Sequence, residues 1–162
     1  MATYRTTRNI EASLIDFIKD ILESTWTNVN VEKSFAKVYT LELPSICVKA
    51  ERTVYDPAEV GDNKKIRSTM IIIDIFATDD GMRLDLKDYL VSILRDGCIY
   101  YEYKTKKVNR TTVVDTKTAN GRLRVLEIED IPVDFSADRD NLDVHDRNRH
   151  RLTLTVELGR IE

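Results

Sequence analysis

From Asn9 to Trp26 apolar side chains recur at Ile10, Leu14, Phe17, Ile18, Ile21 and Leu22, with Asp16, Lys19, Asp20 and Glu23 between them. Spacings of three and four gather such residues on one stripe, so the pattern predicts an amphipathic helix. Thr7 or Asn9 is the expected cap, and Glu11 suits the positive end of the helix. Weak alternation from Val29 to Leu43 allows one short strand and a loop. Pro44 stands where a strand begins, a place where its missing N–H does little harm. Ser45 to Tyr55 then alternates, with Ile46, Val48 and Ala50 on one face and Cys47 and Lys49 on the other. A polar loop follows, marked by Asp56-Pro57 and Gly61-Asp62-Asn63. Ile66 to Ala77 is a β-branched strand whose near-continuous apolar centre predicts an interior strand covered on both faces. The loop between these two strands makes them antiparallel partners.

Thr78-Asp79-Asp80-Gly81 supplies the cap of a second helix, with an apolar stripe at Leu86, Tyr89, Leu90, Ile93 and Leu94. Gly97 can take the left-handed conformation that closes it. Cys98 to Tyr103 returns to strand character. The helix before it fits either a crossover or a position across one face of an antiparallel sheet. Lys104 to Asn120 is rich in Thr and Lys and reads as an extended hairpin or a mobile loop. Leu123 to Phe135 alternates as a strand broken near Pro132, Ser136 to Arg149 is a charged loop, and Arg151 to Leu158 shows the cleanest alternation of all. No repeat, linker or low-complexity tract divides the chain, so residues 1–162 are read as one α+β domain with a charged region around 104–149.

The chain is long enough, at 162 residues, to bury a real core, and its 33% charged residues predict a highly charged surface over it. A formal net charge of −3 gives no global reason to expect nucleic-acid binding. Cys47 and Cys98 both sit in apolar runs and are expected to be buried free thiols of a reducing compartment. The Met1 end carries no charged-then-apolar leader, and the longest wholly apolar run, Met70 to Ile73, is far too short to cross a membrane. The tripeptide Asn109-Arg110-Thr111 matches a glycosylation sequon, which is a chance match without a secretory route. The expectation is a soluble protein assembled in the cytosol.

Candidate chemistry is sparse. Both histidines, His145 and His150, fall in an Asp/Arg-rich segment whose spacing fits neither a calcium loop nor a structural zinc site. Arg139, Arg147, Arg149 and Arg151 would repel a cation there, so a solvated, charge-paired loop is expected. A metal-dependent nuclease would use Asp74, Glu127 or Glu129 with a lysine around a strand pair, but the Asp/Glu-x-Lys spacing is missing. Asp74 stands inside the most apolar strand. A buried carboxylate is costly unless paired, so it should meet an arginine or mark a solvent face. Tyr100, Tyr101 and Tyr103 alternate and read as strand and interface side chains rather than a base-stacking platform. No nucleophile elbow, Cys/His pair or Gly-rich phosphate loop is present. The chain is therefore read as a non-enzyme with no catalytic, cofactor or metal site.

Charge patterning says more. From Lys104 to Arg124 there are seven bases (Lys104, Lys106, Lys107, Arg110, Lys117, Arg122 and Arg124) against the single acid Asp115. From Val125 to Asn148 there are eight acids, among them Glu127, Glu129, Asp138, Asp140, Asp143 and Asp146, against two arginines. Such blocks either pair within one subunit, stay solvated, or set a basic edge of one copy against an acidic edge of the next, as a head-to-tail ring requires. Lys104, Lys106, Lys107, Arg110, Lys117, Arg122, Asp138, Asp140, Asp143 and Asp146 are the candidate residues of a subunit or lumen interface.

With these elements in place, the chain resembles the tail-terminator proteins of long-tailed bacteriophages, in the lambda-like structural class. The likeness lies in the N-terminal helix and Leu43-Pro44-Ser45-Ile46-Cys47-Val48-Lys49-Ala50. It continues through the strand Ser68 to Ala77, the helix Arg83 to Arg95 and the closing Leu-Thr-Leu-Thr-Val-Glu-Leu strand. It is a pattern of elements without a diagnostic motif, and the long charged segment Lys104 to Arg149 departs from the minimal version of such a fold. The resemblance implies two helices packed on one side of a mainly antiparallel or mixed sheet. It also implies a homo-oligomeric ring, typically a hexamer, at the head-proximal end of the virion tail. Such a ring caps the major tail tube protein, stops tube polymerisation and meets a head-completion or connector protein, while DNA passes through its lumen. A head-completion or connector (neck) protein is the alternative within the same class.

Overall fold

The computed structural model describes residues 5–33, 42–57, 65–132 and 149–159. In chain order the elements are α1 (Thr6–Thr25), β1 (Asn30–Glu32), β2 (Ser45–Pro57), β3 (Lys65–Phe76), α2 (Asp80–Leu94), β4 (Cys98–Val108), β5 (Thr111–Pro132) and β6 (Arg149–Gly159). The six strands form one sheet in the order β1-β2-β3-β6-β5-β4. Only β1 and β2 run parallel; every other neighbouring pair is antiparallel. The fold is α+β on a mixed sheet, as the element pattern predicts.

Both helices rest on the same face of that sheet. Ile10, Leu14, Ile18 and Leu22 of α1 and Leu86, Leu90 and Leu94 of α2 share one core cluster with Ile46, Val48, Ile71, Ile73, Ile75, Leu152, Leu154 and Val156. Removing each such side chain from water contributes roughly 1.5–3 kcal/mol, which is why the apolar stripes dictate the layering. β3 is an interior strand between β2 and β6. Its Ile71, Ile73 and Ile75 face the helices, whereas Phe76 joins Cys47 in a smaller cluster on the opposite face.

The sheet curls so far that α1 meets both of its margins, touching β4 on one side and β1 and β2 on the other. Two polar side chains of α1 complete the contact. The Ala50 N–H, at a bulge in β2, donates to Glu11 Oε2 at 2.8 Å. The Tyr101 N–H of β4 donates to Ser13 Oγ at 2.9 Å. Residues two apart point about 200° apart on a helix, so Glu11 and Ser13 reach opposite margins. Each of these side chains satisfies one backbone N–H on a strand margin.

This geometry corrects the reading of the first helix start. α1 begins at Thr6 after Arg5, which makes no side-chain capping bond. Asn9 lies inside the helix, buried, with its amide donating to the Tyr100 hydroxyl at 3.4 Å. Thr7 instead receives Arg67 of β3. Tertiary partners for these side chains displaced the local capping bonds that sequence favours. The second helix follows its signals: Asp79 accepts the Met82 N–H at 2.8 Å, and Gly97 closes the turn at φ +67. A Cβ at Gly97 would lie 2.0 Å from the Leu123 carbonyl oxygen, so glycine is needed for space as well as for conformation.

α2 does not make a crossover between neighbours. It spans the sheet so that β4 emerges at the far margin, with β6 and β5 between it and β3. The Thr/Lys-rich stretch is a hairpin: β4 and β5 pair through a turn at Asn109 and Arg110, both at positive φ (49 and 66), as tight hairpin turns require. His150 is not part of a loop; it lies in β6 and is 4% exposed. Asp138, Asp140, Asp143, Asp146 and His145 fall outside the described residues.

Candidate assembly surface

β6 pairs with β5 only from Arg122 onward, so the earlier part of β5 has β4 as its sole strand neighbour among the described residues. The result is a two-stranded arm. Every residue from Lys106 to Asn120 is exposed, including Val108 at 44%, Val113 at 37% and Val114 at 58%. A lone two-stranded ribbon is marginal in water, so the root of the arm needs support from the body.

α1 supplies it. Asp16 Oδ2 accepts hydrogen bonds from the Tyr103 hydroxyl and Lys117 Nζ, both at 2.8 Å. Lys117 Nζ also lies 4.2 Å from the Tyr101 ring centre, and Arg5 donates to Thr105 Oγ1 at 3.3 Å. Burial together with Asp16 pushes the Tyr103 phenol well above its ordinary range. Burial works against the charge of Lys117, but the Asp16 carboxylate outweighs it and holds the ammonium above the usual lysine value. A cleft of about 300 Å³ remains between α1 and the arm, lined by Arg5, Arg8, Asp16, Tyr103, Thr105 and Lys117.

The candidate bases thus divide. Lys117 is tied to α1, Lys106 pairs with Asp115 across the arm at 2.6 Å, and Arg122 donates to the Asp96 carbonyl at 2.8 Å. Lys104, Lys107 and Arg110 are exposed and have no ion pair among the described residues. At its other end β5 is acidic: Glu127 and Glu129 are exposed, as are Leu126 at 55%, in a bulge, and Ile131 at 39%. The exposed bases Lys104, Lys107 and Arg110 thus lie on the arm, while Glu127 and Glu129 lie toward the far end of β5, and the unbroken strand between them keeps these two groups apart.

Two charge clusters, each built on a buried residue, complete the picture. Asp74 is 2% exposed on the face away from the helices. Arg151 Nε donates to its Oδ1 at 2.9 Å and Arg149 Nη2 lies 3.2 Å from Oδ2. The expectation that Asp74 meets an arginine holds, and both its oxygens face guanidinium groups that repel a cation. Its carboxylate in turn raises the Arg151 pKa.

On the helix-covered face, Arg83 Nη1 lies 2.6 Å from His150 Nδ1, and His150 Nε2 contacts Asp130. Arginine has only donors, so His150 accepts at Nδ1 and gives its Nε2 proton to Asp130. Burial opposes the charge of Asp130, but His150 and Lys87 prevail and hold its pKa below the ordinary carboxylate range. This cluster escaped the sequence reading, although the alternation from Leu152 to Leu158, run two residues back, places His150 on the core face.

Compared with known proteins, the sequence matches no protein-family model and no curated protein.

Proposed function

We propose that this chain is a ring-forming virion subunit of the tail-terminator type, which caps a completed tail tube, stops further tube addition and offers its other surface to the head. The observation that carries this reading is the β4–β5 arm. An exposed ribbon with three valines, and three cationic side chains that have no ion pair among the described residues, is poor design for a solitary subunit and good design for reaching onto a neighbour. Two helices on one face of a curled mixed sheet agree with the scaffold that the resemblance implies. The partners of such a ring are further copies of the chain, the major tail tube protein and a head-completion protein, with DNA passing through the lumen.

The test is the absolute mass of the protein across concentration and salt by light scattering coupled to size exclusion, followed by negative-stain imaging, alone and with tail tubes. The reading expects a closed ring with a central hole, a hexamer by mass, either free or seated on tube ends. A chain that is monomeric alone and leaves tube ends bare overturns it.

A further inference from the structure

The β4–β5 arm and the far end of β5 carry opposite charge, and both are partly apolar. Pairing places Lys106 beside Val113 and Val108 beside Thr111, so Lys106, Val108 and Val113 share one face of the arm, with Lys107 and Arg110 at its tip. At the opposite end, a cleft of about 390 Å³ lies between α2 and the bulge of β5, lined by Lys87, Val91, Arg95, Leu126, Glu127 and Asp130. Lys87 is already held by Asp88 at 2.7 Å and by Asp130 at 3.4 Å. Asp88 lines it as well, so three acids outweigh Lys87 and Arg95, and Glu129 adds negative charge on the other face of the same strand end. Leu126 is the most exposed apolar side chain there.

We infer that the β4–β5 arm of one copy docks on the α2–β5 cleft of the next copy, with Val108 and Val113 covering Leu126 while the cationic tip around Lys107 and Arg110 comes to lie at the acidic strand end of Glu127 and Glu129. Val113 and Glu127 are fourteen residues apart on one strand, about 45 Å at ~3.3 Å per residue. The arm therefore cannot reach its own cleft, and the contact is necessarily intermolecular. It joins two different patches, a heterologous contact that propagates head to tail and closes when the rotation permits. Unlike charges speed the encounter and fix the register, while the valines and Leu126 supply the area removed from water. The inference rests on the ring reading in requiring self-association, and it adds the surfaces that mediate it.

The test uses the full-length chain with two charge-reversed variants, K104E/K107E on the arm and E127K/E129K at the cleft. All four positions are exposed and make no ion pair among the described residues, so thermal unfolding should stay near that of the parent. Each variant alone should self-associate at least about tenfold more weakly than the parent, which corresponds to ~1.4 kcal/mol. Mixed in equal amounts they should assemble again, because each arm then finds a cleft of opposite sign when the two variants alternate. As a second readout, Val113→Cys with Leu126→Cys in one chain should form intermolecular disulfide ladders on mild oxidation. The native thiols at Cys47 and Cys98 are buried and stay out of that reaction. Self-association that ignores both reversals and yields no ladder overturns this docking while leaving the ring reading standing. A chain that remains monomeric to its solubility limit in low salt, with or without tail tubes, overturns both.

Discussion

Asp74→Asn is the most informative single change, because it separates a structural carboxylate from a catalytic one. The native side chain is 3% exposed and engages Arg149, whose side chain is 9% exposed, and Arg151, at 34%. Removing one partner from a buried ion pair costs about 3–5 kcal/mol, since the remaining charge stays desolvated. Arg151 can turn to water and recover part of that, so the loss comes chiefly from Arg149, whose guanidinium also lies 5.2 Å from the Phe76 ring centre. About 3 kcal/mol is expected, a large share of the roughly 5–15 kcal/mol that holds a domain folded. Urea unfolding followed by circular dichroism measures it as a lower midpoint at unchanged slope. Replacing the buried pair by apolar side chains, Asp74→Leu with Arg149→Met, should cost less than Asp74→Asn, because the more buried guanidinium is removed with its carboxylate and Arg151 can turn to water. A loss below about 1 kcal/mol for Asp74→Asn would refute the ion-pair account. So would a stable variant that loses a magnesium-dependent cleavage activity shown by the parent, which would return Asp74 to the nuclease reading.

Glu11→Ala should destabilise by about 1.5–3 kcal/mol, because it orphans the Ala50 N–H at the bulge, and that amide should exchange with solvent faster than the global loss explains. Lys33→Ala should cost under about 1 kcal/mol, since the Lys33 side chain paired with Glu11 is 60% exposed; equal losses for the two variants would show that the salt bridge, rather than the strand tie, is what matters. Cys47 and Cys98 should resist alkylation at pH 8 until the chain unfolds, since burial pushes their thiols up to about 11 and about 12 from 9.0. A folded pKa above the unfolded one favours the protonated form in the native state. The associated stability is full below pH ~9 and is lost as pH rises through those folded values, so urea midpoints should fall over that window and a flat profile would refute the burial argument.

Where the fold was legible in the sequence, a periodic pattern or a steric demand spoke locally. The stripes of α1 and α2, the alternation of β2 and β6, the Asp79 cap and the Gly97 close each answer to residues within a few positions. What stayed hidden depends on elements far apart in sequence. Ser13 and Tyr101 are eighty-eight residues apart, and Glu11 and Ala50 thirty-nine. No local propensity tells that a helical Glu will serve a strand bulge. The same distance dependence explains why Thr7 and Asn9 looked like caps and became tertiary contacts. His150 was assigned by composition to its charged neighbourhood, when its register with Leu152 and Leu154 was the stronger signal. The charge blocks were the opposite case. They were plain in the sequence, but their meaning turned on whether a loop or a strand joined them. A flexible connection would let Lys107 fold back on Glu127 and neutralise both. β5 runs unbroken from Thr111 to Pro132, which holds Lys107 at the tip of the arm far from Glu127 near the strand's other end.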